Sequence, residues 1–439
     1  MRVTSGLRTL WDGGCRTRSG VAGMLATLLS ACATVLPPVA AVQAPIVRAP
    51  VEQRAPVTIL VSIDGFRPDY LDRAVTPRLL ALAQAGVRAP MHPSFPSKTF
   101  PNHWTIVTGL NPDHHGIVAN KMEDAARPKK SFTMASDDPF WWNQATPLWV
   151  DAEKAGIRTA TMFWPGSNVA VGGIRATDWP NTITGGTRPE DWQQFNQQIS
   201  SAQRVRAVLD WLRRPAAIRP RFVTLYFDPV DTAGHIYGPA APETTDAVAK
   251  IDGDVGVLVD GLAEMGQPAN IVVVSDHGMA PLSDDRVIRL DRIAHSADYR
   301  AIETGPYASL AAVPGHERAL DAQLLRPHPH LQCWRKAEIP KRFHYGTHPR
   351  IPPYFCLAET GWNIVDVKQE EDEKGNHGFD NMSPEMTALF IANGPSFARG
   401  RTLAPFVNVD IAPLMRDLLG LPAKLGDGDD APFRDVLVK

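Results

Sequence analysis

The chain has 439 residues, of which 44% are hydrophobic and 21% are charged, proportions that are typical of soluble globular proteins. Wholesale disorder is therefore excluded, and the length allows one large domain or two ordinary ones. The formal net charge of −2 argues against a nucleic-acid duplex or an anionic membrane as the main partner.

Residues 1–45 have the pattern of an export signal. Arginines precede a short apolar run at residues 21–31, which is too short to span a bilayer as a helix. Leu29-Ser30-Ala31-Cys32 is similar to the lipobox of bacterial lipoproteins, in which Cys32 would receive a lipid anchor. The alternative is ordinary cleavage near residues 41–44, and a proline-rich tether at 46–56 follows in either case. We expect an exported bacterial protein that is either periplasmic or a membrane-anchored lipoprotein.

From residue 57 onward, strand-length apolar runs alternate with helical patterns. The first run covers residues 57–63, and a helix follows with Thr76 as its N-cap and Gly86 after its end. Further runs lie at 158–163, 222–227, 271–275 and 389–392. A helix with apolar residues three and four apart occupies 248–265, and Asn408 or Asp410 caps a last helix that ends at Leu419. This alternation predicts one α/β domain over 57–439 with a mostly parallel sheet covered on both faces.

Two stretches interrupt the alternation. Residues 121–144 are polar and aromatic and are expected to form a lid-like loop. Residues 299–372 mix short β-like runs with Pro and His, and we interpret them as a small insertion within the same domain. Cys333 and Cys356 both lie in the insertion. An oxidising compartment would permit a disulfide between them, and two buried free thiols are the alternative.

Acidic residues and histidines follow three of the predicted strands. Asp64 comes directly after the run at 57–63. Asp231 and His235 follow the run at 222–227, and the pair Asp276-His277 follows the run at 271–275. One such Asp alone is commonly a turn or helix-cap residue. In open α/β sheets, however, ligands bind at the carboxyl ends of the strands, so three strands that each lead into such residues predict one shared site. Asp and His ligands without Cys favour zinc, with manganese or iron as alternatives, and adjacent ligands suit two ions better than one.

A threonine in the proline-containing segment 96–103 is the candidate nucleophile. The free hydroxyl of Thr99 is a poor nucleophile at neutral pH, but coordination to a metal lowers its pKa. The amide of Asn120 would donate to a phosphoryl oxygen, although an Asn in a turn is the more common explanation. His377 stands in a segment with flanking glycines, Gly375-Asn376-His377-Gly378, that can form a tight turn and present the imidazole inward.

Taken together, these segments resemble the nucleotide pyrophosphatase/phosphodiesterase family of the alkaline phosphatase superfamily, from about residue 58 to the C-terminus. The ordered set carries the resemblance, and its main pieces are residues 62–67, 98–103, 115–120, 163–167, 231–239, 275–279 and 376–381. The resemblance implies an alkaline-phosphatase-like α/β/α sandwich with a mostly parallel central sheet and a small β-containing insertion.

The resemblance also implies roles for single residues. One zinc would be held by Asp231, His235 and His377. The other would be held by Asp64, Asp276, His277 and the nucleophile Thr99, with Asn120 beside the phosphoryl oxygens. Phe100 matches the aromatic residue that helps to sandwich the base in family members that act on nucleotides. Trp179 is our candidate for the opposing aromatic.

We therefore expect an enzyme with two zinc ions that hydrolyses nucleoside triphosphates and 5′-phosphodiesters to nucleoside 5′-monophosphates through a covalent phosphothreonine at Thr99. A phosphomonoesterase of the same superfamily and a phosphodiesterase of choline lipids are the nearest alternatives. A catalytically silent binding protein is a third, and the complete set of ligands together with Thr99 argues against it.

Overall fold

The β-branched and apolar runs of the sequence form strands because their side chains pack on both faces of a buried sheet. The computed structural model describes residues 52–366 and 373–438. The predicted leader at 1–45, with the expected anchor site Cys32, and most of the tether at 46–56 lie outside the described residues. The strands are β1 (Val57–Ile63), β2 (Val87–His92), β3 (Met122–Glu123), β4 (Ser131–Phe132), β5 (Thr159–Met162), β6 (Ile174–Arg175), β7 (Ile183–Thr184), β8 (Asp191–Gln193), β9 (Phe222–Phe227), β10 (Ala269–Val274), β11 (Ala280–Pro281), β12 (Val287–Arg289), β13 (Tyr299–Glu303), β14 (Tyr307–Ala312), β15 (Leu331–Arg335), β16 (Tyr354–Ala358), β17 (Asn363–Val365), β18 (Gly375–Asn376), β19 (Ala388–Asn393), β20 (Arg401–Thr402) and β21 (Phe406–Val407).

Helices connect these strands. The α-helices are α1 (Pro77–Ala85), α2 (Thr99–Thr108), α3 (Pro112–His115), α4 (Pro139–Trp142), α5 (Leu148–Lys154), α6 (Ser201–Arg213), α7 (Pro229–Tyr237), α8 (Pro242–Glu264), α9 (Glu317–Leu324) and α10 (Ile411–Leu419). Short 3₁₀ helices lie at Pro68–Arg73, Ala216–Ile218, Leu290–Arg292, Lys336–Glu338, Lys341–Phe343, Pro384–Met386, Asn408–Asp410 and Ala431–Phe433. Among the described residues, no helix has the length and apolar character needed to cross a membrane.

The central sheet has the strand order β20-β2-β19-β10-β1-β9-β5-β8, with β21 paired to β2. β1 runs parallel to both β10 and β9, and β5 runs parallel to β9 and β8. β19 is antiparallel to its two neighbours, β10 and β2. In this register Ser62 of β1 pairs with Val274 on one side and Tyr226 on the other. The segments that follow β10, β1 and β9 therefore leave the sheet at the same edge.

Two hydrophobic cores cover the two faces of the sheet. Leu60 of β1 enters the core built with α2, α5 and α10, whereas Ile59 and Val61 enter the core built with α1, α6 and α8. Alternate residues of one strand face opposite sides because the strand is pleated. The arrangement confirms the predicted α/β/α sandwich with a mostly parallel central sheet.

The predicted element boundaries differ from the structure by one or two residues at most strands. The runs at 57–63 and 222–227 coincide with β1 and β9. The helix predicted at 248–265 begins earlier, at Pro242, because proline is well suited to the first helical turn. Gly86 does follow α1, but its φ of −130° is not left-handed. A Cβ at this position would instead collide with the carbonyl oxygen of Ala392 in β19, so close strand packing requires the glycine.

The two stretches that interrupt the alternation contain their own small structures. Within residues 121–144, β3 and β4 form an antiparallel pair, and α4 follows them. Within residues 299–366, the four strands β13-β14-β16-β15 form an antiparallel sheet that packs with α9 around a separate core. Gln53–Lys439 form one compact unit.

Cys333 and Cys356 lie directly opposite each other on β15 and β16 of this smaller sheet. Their sulfur atoms are 1.99 Å apart and their Cα atoms 4.0 Å apart, so the two residues form a disulfide. The structure thus decides between the two alternatives that the sequence leaves open.

Candidate active site

Three neighbouring strands of the central sheet lead into one cluster of carboxylates. Asp64 directly follows β1, and Asp276 follows β10 after a single serine. Asp231 lies in the first turn of α7, the helix that follows β9. The parallel order β10-β1-β9 therefore brings residues that are far apart in sequence to one edge of the sheet, where open α/β sheets bind ligands.

The carboxylates and nearby histidines form two overlapping groups, each with ligand atoms within 4.8 Å of one another. The groups are Asp231, His277 and His377, and Asp64, Asp276 and His277. His235, one turn after Asp231 in α7, places its Nε2 3.5 Å from Oδ1 of Asp231. The side chains that the sequence suggested as metal ligands are therefore gathered in one place, and His277 lies within reach of both groups.

Backbone carbonyls orient the three imidazoles. Nδ1 of His235 lies 3.0 Å from the carbonyl oxygen of Gly375, Nδ1 of His277 lies 2.9 Å from that of Gly278, and Nδ1 of His377 lies 2.8 Å from that of Ser97. A donor proton on each Nδ1 leaves Nε2 as the nitrogen that faces the carboxylates, which is the usual arrangement for histidines that bind metals.

The protonation behaviour of these histidines differs. Burial lowers the pKa of His277 and of His377, which favours the neutral imidazole that can coordinate a metal. Burial also lowers the pKa of His235, but the carboxylates of Asp231 and Glu373 outweigh it and raise the pKa to about 9. A cation bound beside Asp231 would take over the attraction that holds this proton.

Each carboxylate of the cluster has a buried oxygen atom that is incompletely paired. Oδ1 of Asp64, Oδ1 of Asp231 and Oδ2 of Asp276 have no hydrogen-bond partner in the described part of the chain. Burial, followed by repulsion from Asp276 and Asp231, raises the pKa of Asp64 well above its ordinary value. Burial and Asp231 raise the pKa of Asp276 in the same way. Because buried carboxylates require a compensating cation to stay ionised, this set of oxygen and imidazole donors fits a metal centre.

Thr99 is the first residue of α2 and faces the cluster. Its Oγ1 lies 3.3 Å from Nε2 of His277, and the residue is almost completely buried. The dipole at the start of α2 favours an anion beside this hydroxyl. The backbone oxygen of Thr99 lies 2.8 Å from Nδ1 of His103, whose Nε2 lies 2.8 Å from the hydroxyl of Ser62 in β1. The nucleophile candidate is thereby fixed to the end of the central strand.

Asn120 lies beside the first turn of α2. Its Oδ1 accepts a hydrogen bond of 2.9 Å from the backbone N–H of Phe100. With Oδ1 engaged, the amide N–H groups are what Asn120 offers to a substrate oxygen next to Thr99.

An aromatic cavity of about 370 Å³ opens next to Thr99. Phe100 and Phe195 are among its walls, together with Trp164 and Tyr226. Phe100 is partly buried against Phe132 and Trp142, with ring centroids 5.9 Å and 6.0 Å away. Phe195 is 43% exposed and meets Tyr226 edge to face. This cavity, which is called the aromatic cavity below, suits a flat or cationic group.

Trp179 does not reach this cavity. Its side chain is 89% exposed in the turn between β6 and β7, and it is not part of the cavity wall. The structure therefore does not support Trp179 as the opposing aromatic, because the β6–β7 hairpin carries it into solvent. Phe195, which follows the edge strand β8, is the exposed aromatic that shares the cavity with Phe100. An aromatic residue flanked by Gln194 and Asn196 was the available signal.

Sequence reasoning also missed the residue that holds Asp64. The hydroxyl of Tyr226 donates a hydrogen bond of 2.6 Å to Oδ2 of Asp64, and this leaves Oδ1 facing His277 at 3.4 Å. Tyr226 belongs to β9, where its polar tip in a largely apolar strand was the sign of its role.

Comparison with known proteins supplies the family. The family model described as type I phosphodiesterase / nucleotide pyrophosphatase matches residues 58–380. The chain belongs to this family. It is therefore an enzyme of the pyrophosphatase/phosphodiesterase type, and the cluster of carboxylates and imidazoles is its candidate metal centre.

Relatives of this phosphodiesterase share most of its length. An uncharacterised pyrophosphatase/phosphodiesterase of Schizosaccharomyces pombe is 37% identical over 395 residues, which cover 84% of this chain and 78% of the relative. A bis(5′-adenosyl)-triphosphatase of Xenopus laevis is 36% identical over 384 residues, which cover 86% and 81%. Both organisms are eukaryotes, so these relatives do not support the expected bacterial source.

Solved structures of relatives show the same fold. Human ectonucleotide pyrophosphatase/phosphodiesterase 5 superposes with a TM-score of 0.81 at 31% identity, covering 87% of this chain and all of that one. An inactive threonine-to-alanine variant of the murine protein, in complex with AMP, superposes with a TM-score of 0.81 at 32% identity and covers 88% of this chain.

Proposed function

We propose that this phosphodiesterase hydrolyses nucleoside triphosphates and 5′-phosphodiesters to nucleoside 5′-monophosphates through a phosphothreonine at Thr99 and with two zinc ions. The observation that carries the proposal is the position of Thr99. Its hydroxyl lies 3.3 Å from Nε2 of His277, at the point where the ligand cluster meets the aromatic cavity. A phosphorus held there has the nucleophile, the ligands and an apolar cavity within reach.

In a double displacement, Thr99, Asn120 and the start of α2 have separate roles. Oγ1 of Thr99 forms a bond to phosphorus while the bond from phosphorus to the leaving oxygen breaks. Water then displaces Thr99, and the nucleoside monophosphate is released. Asn120 donates its amide to the phosphoryl oxygens, where negative charge accumulates in the transition state, and the dipole at the start of α2 favours that charge.

The ligand cluster divides into two sets. Asp231, His235 and His377 would hold one zinc ion, and the other would be held by Asp64, Asp276 and His277 together with Thr99. When bound, zinc supplies Lewis acidity that lowers the pKa of a coordinated hydroxyl and neutralises charge on phosphoryl oxygens. The chain's own part is to keep the carboxylates buried and Nε2 of each imidazole directed toward them.

The aromatic cavity is the proposed binding site for the nucleoside. Phe100 follows the nucleophile directly, so a base esterified through its ribose to the phosphorus would stack on the aromatic walls next to Thr99. The names of two relatives support this substrate class, since one is a bis(5′-adenosyl)-triphosphatase and another was solved with AMP.

A chiral substrate tests the route directly. Hydrolysis of a thymidine 5′-phosphorothioate diester of known configuration in isotopically labelled water should proceed with net retention at phosphorus, because two in-line displacements each invert it. Inversion would show that water attacks directly and would remove Thr99 as the nucleophile. Release of thymidine 5′-monophosphate from the parent diester tests whether the enzyme hydrolyses 5′-phosphodiester bonds.

A phosphodiesterase of choline lipids is the second candidate, because an aromatic cavity also attracts a quaternary ammonium group. Turnover of a thymidine 5′-diester and of a choline phospholipid at equal concentration separates the two. The phosphomonoesterase alternative is tested by the same assay with thymidine 5′-monophosphate, which should accumulate without further hydrolysis.

We also propose that the protein is exported, with residues 57–439 as its single catalytic domain. The disulfide between Cys333 and Cys356 supports an oxidising compartment. Mass spectrometry of the mature protein would distinguish a lipid on Cys32 from ordinary cleavage near residues 41–44.

A further inference from the structure

A buried arginine lies next to the aromatic cavity without being one of its walls. Arg204 stands near the start of α6 and is 2% exposed, and it is not among the residues that line the cavity. A charged side chain is rarely buried to this extent unless acceptors surround it, because loss of its hydration is costly. The contacts of Arg204 therefore indicate which parts of the site this charge joins.

Arg204 joins two segments that are distant in the sequence. Its Nε donates a hydrogen bond of 3.0 Å to the carbonyl oxygen of Ile199, in the loop between β8 and α6. Its Nη1 donates to the carbonyl oxygen of Tyr226 in β9 at 3.1 Å and to Oδ1 of Asp228, directly after β9, at 2.7 Å. The loop carries Phe195, and β9 leads into the ligand cluster. The guanidinium is thus a buried link between the loop and the end of β9.

The same guanidinium also contacts the ring of Phe195. Cζ of Arg204 lies 5.6 Å from the centroid of this ring and 4.8 Å from that of Phe163, and the two rings meet edge to face at 5.7 Å. These distances allow a cation–π attraction, which is stronger where water is excluded. Because Phe195 is 43% exposed, part of its ring has no packing partner in the protein. The buried arginine gives this ring a partner whose own position is fixed by three acceptors.

We propose that Arg204 is a positioning residue for substrate recognition, which holds Phe195 at the distance from Thr99 that a bound nucleoside spans. A nucleobase is tied to the phosphorus through its ribose, so it can stack only on a ring that is held at a suitable distance from the nucleophile. The inference rests on the proposed function, since it concerns the nucleoside arm of the same substrate. Arg204 acts through Phe195 and does not itself contact the substrate.

The chemistry of the guanidinium suits this role. Its rigid planar fork bonds acceptors of the loop and of β9 at the same time, and its flat face can lie against an aromatic ring. A lysine at this position would bring one compact ammonium on a flexible stem. It could pair with Asp228, but it would not reproduce the whole set of contacts.

Two substrates with the same leaving group test the proposal. Thymidine 5′-(p-nitrophenyl phosphate) carries a nucleoside, whereas methyl p-nitrophenyl phosphate does not. Arg204→Met keeps a long side chain and removes its charge and donors. We expect KM for the thymidine ester to rise by about 2–30-fold, the range that corresponds to loss of one cation–π contact. Its kcat, the zinc content and the kcat/KM of the methyl ester should change little, because the reacting groups are untouched.

A double-mutant cycle shows whether Arg204 acts through Phe195. Arg204→Met should raise KM for the thymidine ester in the parent enzyme but not in the Phe195→Ala variant, since the ring to be positioned is then absent. A merely structural role of Arg204 would raise KM by the same factor in both backgrounds, and that result would overturn the proposal. The proposal also fails if Phe195→Ala alone leaves this KM unchanged.

Arg206→Met is the matched control, because it makes the same chemical change at an exposed position of the same helix. It should leave the KM of the thymidine ester unchanged. Arg204→Lys keeps a positive charge beside Asp228 and replaces Arg204→Met in the cycle if the methionine variant does not fold. It should raise KM in the same direction by a smaller factor.

An unchanged KM for the thymidine ester in the folded Arg204 variants would overturn the proposal. Failure of the proposed function gives a different result, because the unmodified enzyme would then release no thymidine 5′-monophosphate from the thymidine ester.

Discussion

The ligand cluster and the aromatic cavity lie side by side, but the chain builds them in different ways. The cluster is formed by residues at or just beyond strand ends, and backbone carbonyls fix its imidazoles. The aromatic cavity combines Phe100 of α2 and Tyr226 of β9 with loops, the edge strand β8 and the segment after β4, and one of its walls, Phe195, is 43% exposed. Three ligands of the first site lie where β1, β9 and β10 leave the central sheet, whereas the second site depends more on how separate loops fold back.

This difference separates chemistry from selectivity. Displacement at phosphorus requires a hydroxyl and ligands held within fractions of an ångström, so it belongs on the sheet edge. Recognition of the group beyond the phosphorus tolerates side chains with more freedom, so it can belong to loops. Changes in the cluster should therefore alter metal content or kcat, and changes in the aromatic cavity should alter KM.

Removal of the metals should give the largest effect. The cluster contains two overlapping groups of carboxylates and imidazoles that could each hold a metal ion. We therefore expect a chelator to abolish turnover and added zinc to restore it. Elemental analysis should find two zinc ions per chain, and His377→Ala should reduce this number to one with the far-UV circular dichroism unchanged. Full activity of a preparation shown to be free of metal would refute the proposed centre.

The metal-free protein should also show a distinct pH dependence. The raised pKa values of Asp64 and Asp276 mean that the folded state binds more protons than the unfolded state. The contribution of these carboxylates to the free energy of unfolding should therefore fall as the pH rises above about 4, the ordinary range of an aspartate, whereas the lowered pKa values of His277 and His377 contribute in the opposite direction up to about 6.5, the ordinary value of a histidine. Bound zinc should remove both contributions, and thermal unfolding of the metal-free and zinc-bound forms across pH 4–7 measures the difference.

Replacement of the nucleophile should give the next largest effect. Thr99→Ala removes the hydroxyl that we propose as the nucleophile, and kcat should fall by several orders of magnitude, whereas zinc content and binding of thymidine monophosphate change little. Thr99→Ser keeps a hydroxyl and should retain substantial activity. Substantial turnover by the alanine variant would mean that another nucleophile acts.

Loss of a hydrogen bond that orients a metal ligand should reduce activity less than loss of the ligand itself. Tyr226→Phe removes the hydrogen bond to Oδ2 of Asp64 but keeps the ring that packs against His103 and Phe195. Loss of such a support typically weakens metal binding by about 10–100-fold. Zinc titration against a competing chelator measures this change, and saturating zinc should recover much of the activity. An unchanged zinc affinity would show that Asp64 is held without Tyr226.

The contrast between the two regions also explains what the sequence can predict. β1, β9 and β10 carry continuous apolar runs, and a parallel sheet places their carboxyl ends together, so Asp64, Asp231 and Asp276 can be grouped from the sequence alone. Thr99 and His377 can be added by the resemblance to a family. Each of these assignments follows from the position of a residue relative to a strand or a motif.

The other residues of the two regions cannot be assigned from their position relative to a strand or a motif. Phe195 and Trp179 are both aromatic residues in polar surroundings between β5 and α6, and the sequence does not show which loop folds toward the cluster. Tyr226 alternates with apolar neighbours in β9 and has the pattern of a core residue. The sequence leaves the pairing of Cys333 with Cys356 open because either pairing or burial satisfies a cysteine, and only the register of β15 and β16 decides it.

Aromatic substitutions provide the smallest and most selective test of the comparison. Phe195 is half exposed and Phe100 is packed against Phe132 and Trp142, so Phe195→Ala should perturb the fold less than Phe100→Ala. If a nucleobase stacks in the cavity, each change should raise KM for thymidine p-nitrophenyl phosphate by about 5–150-fold, since stacking contributes about 1–3 kcal/mol per base. The value of kcat should change little, because the groups around phosphorus are untouched.

Trp179→Ala is the matched control for these variants, because it removes a larger aromatic side chain that is 89% exposed and outside the cavity. Its KM should equal that of the unmodified enzyme. A folded Phe195→Ala protein with unchanged KM for the nucleotide diester and reduced turnover of a choline lipid would assign the cavity to a quaternary ammonium. If all three variants have the KM of the unmodified enzyme, substrate recognition lies outside the aromatic cavity. The assignment of catalysis to the ligand cluster and of substrate selectivity to the aromatic cavity would then be wrong for this enzyme.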